Sequence, residues 1–128
     1  MKMGIIRFAM AVALISILAA CGGLDNMSGN TVGTGEYSVV VTNGTGTRVC
    51  FLFLLPEGVT QLSQELDYLG ETGVLEANGS ITIKVDAGNY NGLAITQDTD
   101  GGCDDDTGTE IDNFGFVVDG DEVWRLEL

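Results

Sequence analysis

The feature that most constrains this chain is a series of short hydrophobic segments, separated by turn signals, between residue 37 and residue 128. In residues 37–42 and 80–86, apolar side chains alternate with polar ones, which is the period of a β-strand with one buried face. Asn-Gly and Asp-Gly pairs, which tolerate the positive φ of tight turns, stand between such segments. The pattern predicts an all-β fold.

Six segments have the length and composition of strands, namely 37–42, 49–55, 80–86, 89–96, 111–118 and 123–128. Residues 49–55, VCFLFLL, are continuously apolar and predict a central strand that is buried on both faces. Residues 60–69 carry leucines at helical spacing and predict at most one or two helical turns. About six to seven strands with almost no helix predict a small β-sandwich or a barrel-like fold.

The last two predicted strands flank Asp119-Gly120-Asp121-Glu122, a sequence typical of a hairpin turn. In residues 123–128, Trp124, Leu126 and Leu128 fall on one face of the strand and are predicted to face the core. A core position for Trp124 is favoured over an exposed sugar-binding platform. Tyr37 and Tyr90 are likewise predicted to be packing residues.

The charge of the chain excludes some functions. It carries 19 acidic and 5 basic residues, a formal net charge of −14, and no histidine. Binding to nucleic acid needs clustered Lys and Arg to neutralise phosphates, so it is not expected. Without histidine the chain lacks the usual general base and the commonest zinc ligand. A paired-carboxylate hydrolase would need a cleft that so small a domain does not offer, so we expect no enzymatic activity.

The first twenty residues have the features of an export signal. Lys2 and Arg7 are followed by thirteen residues, 8–20, that are almost all apolar. As a helix this run is about 20 Å long, shorter than the roughly 30 Å of a bilayer core. A positive start, a short apolar stretch and small residues at its end are typical of a secretory signal.

Leu18-Ala19-Ala20-Cys21 resembles the lipobox of bacterial lipoproteins. The resemblance implies that residues 1–20 are a signal peptide, that the thiol of Cys21 takes the lipid (diacylglyceryl and fatty-acyl groups such as palmitate), and that the protein is exported and membrane-anchored. Gly22, rather than Asp, follows the cysteine, which favours the outer membrane if the cell is Gram-negative. The alternative is an ordinary signal peptide with an incidental Cys21.

The composition of residues 22–35, GGLDNMSGNTVGTG, predicts a flexible tether. The predicted domain organisation is therefore a signal peptide at 1–20, a lipidated cysteine and tether at 21–35, and a β-sandwich domain at 36–128. Because Lys2 and Arg7 lie in the removed segment, the net charge changes from −14 to −16 on processing. Such a charge favours solubility and attracts cations or a basic partner.

Residues 37–128 also resemble small secreted β-sandwich domains of unassigned function, which are often found in lipoproteins. Many members carry a Trp where this chain has Tyr68. The resemblance implies a fold and no activity. The motifs that carry it are Asn43-Gly44-Thr45, the apolar strand ending at Pro56, Leu69-Gly70, Gly79-Ser80, Gly88-Asn89-Tyr90 and Asp98-Thr99-Asp100-Gly101.

Cys50 and Cys103 are the cysteines that remain when Cys21 is lipidated. An even number of cysteines in an exported chain favours a disulfide. Closing a loop of about 50 residues would stabilise so small a domain by roughly 4 kcal/mol. The alternative is two free thiols, with Cys50 filling the core.

Seven carboxylates lie between residues 98 and 112 and repel one another unless solvent or a cation screens them. Oxygen ligands separated by glycines suit Ca²⁺, although the EF-hand spacing fails here. One interpretation is a solvated acidic loop. The other is a calcium site, with Asp98, Asp100, Asp104 and Asp106 as the ligands of choice.

Two functions follow as hypotheses. The first is a lipid-anchored envelope or surface protein with a structural or interaction role. The second is an acidic inhibitor or binder of a cationic protein such as a lysozyme, favoured by the charge of the processed chain.

Overall fold

The computed structural model describes residues 24–103 and 108–128. Its regular elements are nine strands and one 3₁₀ turn, and the fold is all-β as predicted. In chain order they are β1 Asp25–Asn26, β2 Thr31–Gly33, β3 Tyr37–Asn43, β4 Val49–Pro56, the 3₁₀ turn Gln64–Leu66, β5 Gly73–Val74, β6 Ser80–Val85, β7 Gly88–Thr96, β8 Glu110–Val118 and β9 Glu122–Leu126.

Two sheets form the sandwich. The four-stranded sheet has the order β2-β6-β3-β9, the three-stranded sheet has the order β4-β7-β8, and β1 pairs with β5 at one end. The main core lies between the two larger sheets. The four-stranded sheet contributes side chains such as Val41 and Ile83, and the three-stranded sheet contributes Leu52, Leu54 and Ala94. The strands and core residues named here all belong to residues 24–103 and 108–128.

Trp124 and Leu126 face this core, as the alternation predicts, and Trp124 is 6% exposed. Tyr90 is buried and donates its hydroxyl to the carbonyl of Asp86, and Tyr37 packs against the core. The prediction for Leu128 is wrong, because Leu128 lies beyond the end of β9 and is 72% exposed. Alternation orients a side chain only while the strand continues.

The predicted β8–β9 hairpin is also wrong. The chain reverses at Asp119-Gly120, but β8 pairs with β7 whereas β9 pairs in parallel with β3. The turn therefore crosses from one sheet to the other. The Asn43-Gly44 turn does the same between β3 and β4. Turn residues specify a local reversal, and the two-sheet architecture decides which strand becomes the neighbour.

The β3–β4 crossing is held by a buried amide. Asn43 is fully buried, and its Nδ2 donates to the carbonyls of Thr47 (2.7 Å) and Leu75 (2.9 Å). Its Oδ1 accepts from the amide and the hydroxyl of Thr45. A buried polar group is tolerated when it is hydrogen-bonded in this way, so Asn43 has a structural role.

Residues 49–55 lie in β4 and are buried at nearly all positions, as predicted. β4 is not central, however, because it lies at the edge of the three-stranded sheet. Both faces are covered because a second apolar cluster, with Phe53, Leu55 and Ile95 at its centre, lies on the outer side of that sheet. The segment predicted as helical, 60–69, contains only the single 3₁₀ turn.

The predicted tether over residues 21–35 is wrong for its described part, which we call the N-terminal strap (residues 24–35). β2 pairs in parallel with β6 from Thr31↔Thr82 to Gly33↔Lys84, and β1 pairs with β5. Residues 21–23 and the signal peptide lie outside the described residues. The domain therefore begins before residue 36.

The glycines of the strap explain why its composition misleads. Gly33 has φ +80°, and a Cβ there would lie 2.7 Å from the carbonyl oxygen of Lys84. A Cβ on Gly35 would overlap the backbone of Val85. These glycines allow the strap to approach β6 closely, which is a different use of glycine from chain flexibility.

Candidate functional site

The acidic loop, residues 97–109, joins the antiparallel strands β7 and β8. At its base, the Thr96 amide donates to the Thr109 carbonyl (3.0 Å) and the Gln97 amide donates to the Arg48 carbonyl (2.9 Å). The loop is therefore the connection of a hairpin whose two strands fix its ends.

The predicted disulfide is present and joins Cys50 on β4 to Cys103 in the acidic loop, with a Cα–Cα distance of 5.5 Å. Cys50 is buried and Cys103 is exposed. The bond ties the loop to the edge of the three-stranded sheet, so the structural role predicted for these two cysteines is the one they have.

Asp98 and Asp100, the two proposed calcium ligands that are described, are brought together. The Gly102 amide donates to Oδ1 of Asp98 (2.7 Å) and to Oδ1 of Asp100 (3.2 Å), and the Asp100 amide also donates to Oδ1 of Asp98. Backbone amides thus compensate part of the carboxylate charge within the turn. Asp104 and Asp106 lie outside the described residues.

Within residues 24–103 and 108–128, no group of three or more acidic or cysteine side chains is arranged to hold a metal ion. The calcium site stays a prediction, and its described half is a turn closed by amide donors.

A buried carboxyl that the sequence analysis did not single out lies at the edge of β4. Asp67 is 6% exposed, and its Oδ1 accepts hydrogen bonds from the amides of Leu52 (2.9 Å) and Leu69 (3.0 Å). The Tyr68 amide donates to the Leu52 carbonyl. Residues 67–69 therefore cover the middle of the outer edge of β4, and Leu75 pairs with Val49 at the start of the strand; edge strands need such protection.

Burial raises the pKa of Asp67 to about 6 from its usual 3.8, although the hydrogen bonds from Leu52 and Leu69 oppose the shift. Its Oδ2 atom is buried and has no hydrogen-bond partner in the described part of the chain. The only sequence signal was an acidic residue between Leu66 and Leu69, which by itself does not distinguish a buried hydrogen-bond acceptor from a surface charge.

The outer side of the three-stranded sheet carries an apolar groove of about 350 Å³. We define the outer groove by Leu55, Val59, Leu62, Leu93 and Phe114, which line it. Phe114 is 68% exposed and Leu62 is 43% exposed. Large exposed apolar side chains that lie together mark interaction surfaces more often than isolated ones do.

The predicted lipidation site, Cys21, lies outside the described residues. Among the residues that are described, no helix has the length and hydrophobicity needed to cross a membrane. No protein-family model, no curated protein and no solved structure matches this chain.

Proposed function

We propose that this chain is an exported lipoprotein, anchored at Cys21, with a non-enzymatic binding or structural role in the cell envelope. The observation that carries the proposal is the sequence Leu18-Ala19-Ala20-Cys21 behind a short apolar segment and two basic residues. Gly22 at the next position favours the outer membrane in a Gram-negative cell. The disulfide supports export, because such bonds persist in oxidising compartments.

The N-terminal strap supports an anchor that holds the domain close to the lipid. Three residues, Gly22, Gly23 and Leu24, separate Cys21 from the first residue of β1. Fully extended, this distance is at most about 14 Å. The proposal is therefore a membrane-proximal domain, oriented with its β1–β5 end towards the bilayer, in place of a domain on a long tether.

The intact mass of the protein from the membrane fraction tests the anchor. The expected species lacks residues 1–20 and carries a diacylglyceryl group on Cys21, because that is the product of lipobox processing. The Cys21→Ser variant is the control and should lose the lipid while keeping the Cys50–Cys103 disulfide. Unmodified Cys21 in soluble protein would overturn the proposal.

The non-enzymatic role is supported by the residues that are present. The sequence contains no histidine, and the buried carboxyl Asp67 is turned towards backbone amides of its own domain. The described part of the acidic loop likewise directs Asp98 and Asp100 at the Gly102 amide. These carboxylates are engaged in holding the chain together.

The second candidate function is capture of a cationic protein. Once residues 1–20 are removed, three basic residues remain. Arg48 pairs with Glu76 at 3.2 Å, Arg125 pairs with Glu127 at 2.8 Å, and Lys84 donates to Ser38. The surface potential is therefore dominated by carboxylates, which would steer a basic protein towards the domain.

Titration with a lysozyme at low and at high salt tests this candidate. Charge-driven capture should weaken steeply as ionic strength rises, whereas contacts of neutral groups should not. An unrelated acidic protein of similar charge is the control. Equal binding to both acidic proteins would show that charge alone acts and would remove capture as a specific function.

A further inference from the structure

The outer side of the three-stranded sheet carries apolar side chains of β4, β7 and β8, but a covering segment lies over only part of it. The segment 57–66, which follows β4 and includes the 3₁₀ turn, packs Val59 and Leu66 against Phe53, Leu55 and Ile95. No equivalent segment covers the β8 side among the described residues, and Phe114 remains 68% exposed there. The outer groove is the boundary between the covered and the uncovered part.

A β-bulge directs Phe114 into the groove. Tyr90 pairs with Phe116 and Gly92 pairs with Asn113, so that Phe114 and Gly115 together oppose Asn91. Gly115 has φ +74°, and its amide donates to the Asn91 side chain at 3.1 Å. Bulges re-aim side chains in this way. The exposure of Phe114 is therefore built into the backbone of β8.

The rim of the groove is acidic. Glu110 and Asp112 oppose Ile95 and Leu93 in the ladder, so they project from the same outer face as Phe114. Glu57, which is exposed and follows directly after β4, belongs to the covering segment on the other side. The strands of this sheet, β4, β7 and β8, contain no Lys or Arg.

We propose that the outer groove binds a basic segment of a partner protein, which inserts an apolar side chain beside Phe114 and places Lys or Arg against the rim carboxylates. The inference rests on the non-enzymatic binding role proposed above and assigns that role a surface. A second copy of this chain is disfavoured as occupant, because its own rim would bring like charges together at the contact.

The test uses residues 21–128 with Cys21→Ser, which contain every strand that the structure describes, and synthetic peptides as probes. A peptide of alternating Lys and Leu should bind, and titration calorimetry should show Phe114→Ser weakening it by about tenfold, as expected for an aromatic anchor. Val123→Ser is the matched control, because Val123 is 70% exposed on the other sheet. It should leave binding unchanged.

The charge requirement is tested with Asp112→Asn against Asp119→Asn, which removes the same charge at an exposed turn. Asp112→Asn should weaken the Lys–Leu peptide several-fold more than the control does. Any of three results would overturn the inference. The two Asn variants could weaken peptide binding equally, the two Ser variants could do so equally, or the parent protein could bind a Lys–Ser peptide as tightly as the Lys–Leu peptide.

Vesicles of phosphatidylcholine separate a protein partner from a lipid surface. Binding to vesicles that depends on Phe114, without binding to the Lys–Leu peptide, would overturn the partner chemistry and assign the groove to the membrane. Because the chain used here carries no lipid, these results are independent of the mass measurement on Cys21. Failure of the groove and failure of the anchor are therefore distinguishable.

Discussion

Oδ1 of Asp67 lies 2.9 Å from the amide nitrogen of Leu52 and accepts its hydrogen bond at the edge of β4. The same oxygen accepts from the Leu69 amide, so one buried carboxyl joins the strand to the segment that covers it. Its second oxygen has no partner in the described part of the chain. Asp67 therefore holds the edge of β4 through these hydrogen bonds. Whenever Asp67 is ionised, however, its negative charge is buried, and this burial costs free energy.

This cost should make stability depend on pH. The pKa of Asp67 is about 6 in the folded protein and 3.8 in the unfolded chain, so the folded state favours the protonated form. The stabilisation of the fold that Asp67 contributes is fully present below its unfolded pKa of 3.8 and is lost as pH rises through about 6. From about pH 3 to about pH 8, the unfolding free energy of Asp67→Asn should gain roughly 3 kcal/mol relative to the parent.

Urea unfolding at a series of pH values measures this difference. Asp119→Asn removes one carboxylate at an exposed turn and corrects for the general relief of charge repulsion at low pH. If both variants follow the parent in parallel across the whole range, the buried carboxyl does not titrate as argued.

The N-terminal strap should contribute to the stability of the domain. A chain that begins at residue 36 lacks the β2–β6 ladder and the contacts of Met27 and Val32 with the core. Its unfolding free energy should be lower than that of a chain beginning at residue 24 by about 2–4 kcal/mol. Equal melting temperatures for the two chains would mean that residues 24–35 act only as a spacer.

Gly92 on β7 should not tolerate a side chain. A Cβ at this position would lie 2.7 Å from an atom of the Trp124 ring, so Gly92→Ala must displace the indole. We expect a loss of about 1–3 kcal/mol in unfolding free energy and a shift in the fluorescence of the single tryptophan. Gly120→Ala, where nothing lies within 4 Å, is the control and should have little effect.

Reduction of the disulfide should destabilise the domain markedly. Cys50 and Cys103 are 53 positions apart, and opening such a loop is expected to cost about 4 kcal/mol through the entropy of the unfolded chain. The melting temperature under reducing conditions should match that of Cys103→Ser without reductant. A Cys103→Ser protein that melts with the oxidised parent would show that the core alone carries the stability.

The calcium hypothesis predicts a cation-specific rise in melting temperature. Ca²⁺ should stabilise the protein more than Mg²⁺ or Na⁺ at the same ionic strength, because a site that exists only in the folded state adds its binding free energy. Asp100→Asn should abolish the rise, whereas Asp119→Asn should keep it. Equal effects of the three salts would assign the acidic loop to general charge screening.

The strands were the most predictable part of the fold. All six predicted segments correspond to strands of the structure, because period-two alternation and turn residues are local properties of the chain. The Cys50–Cys103 pair was predictable only with a second assumption, because the chain has three cysteines and the prediction reserves Cys21 for the lipid.

The candidate surfaces were less predictable. The exposure of Phe114 depends on a bulge that is defined only by the pairing of β7 with β8. The raised pKa of Asp67 depends on the 57–75 segment folding back over β4. Neither the exposure of Phe114 nor the raised pKa of Asp67 can be predicted from one segment alone, because each depends on residues far apart in the sequence.

The all-β class and the positions of the main strands follow from the amino-acid sequence alone, since periodicity and turn residues act within short stretches of chain. The use of Gly33 and Gly35 depends instead on the tertiary fold. They lie against Lys84 and Val85, where a Cβ would collide with the backbone. A glycine gives the same composition in a loose tether and in a close contact, and only the position of the neighbouring strand distinguishes the two.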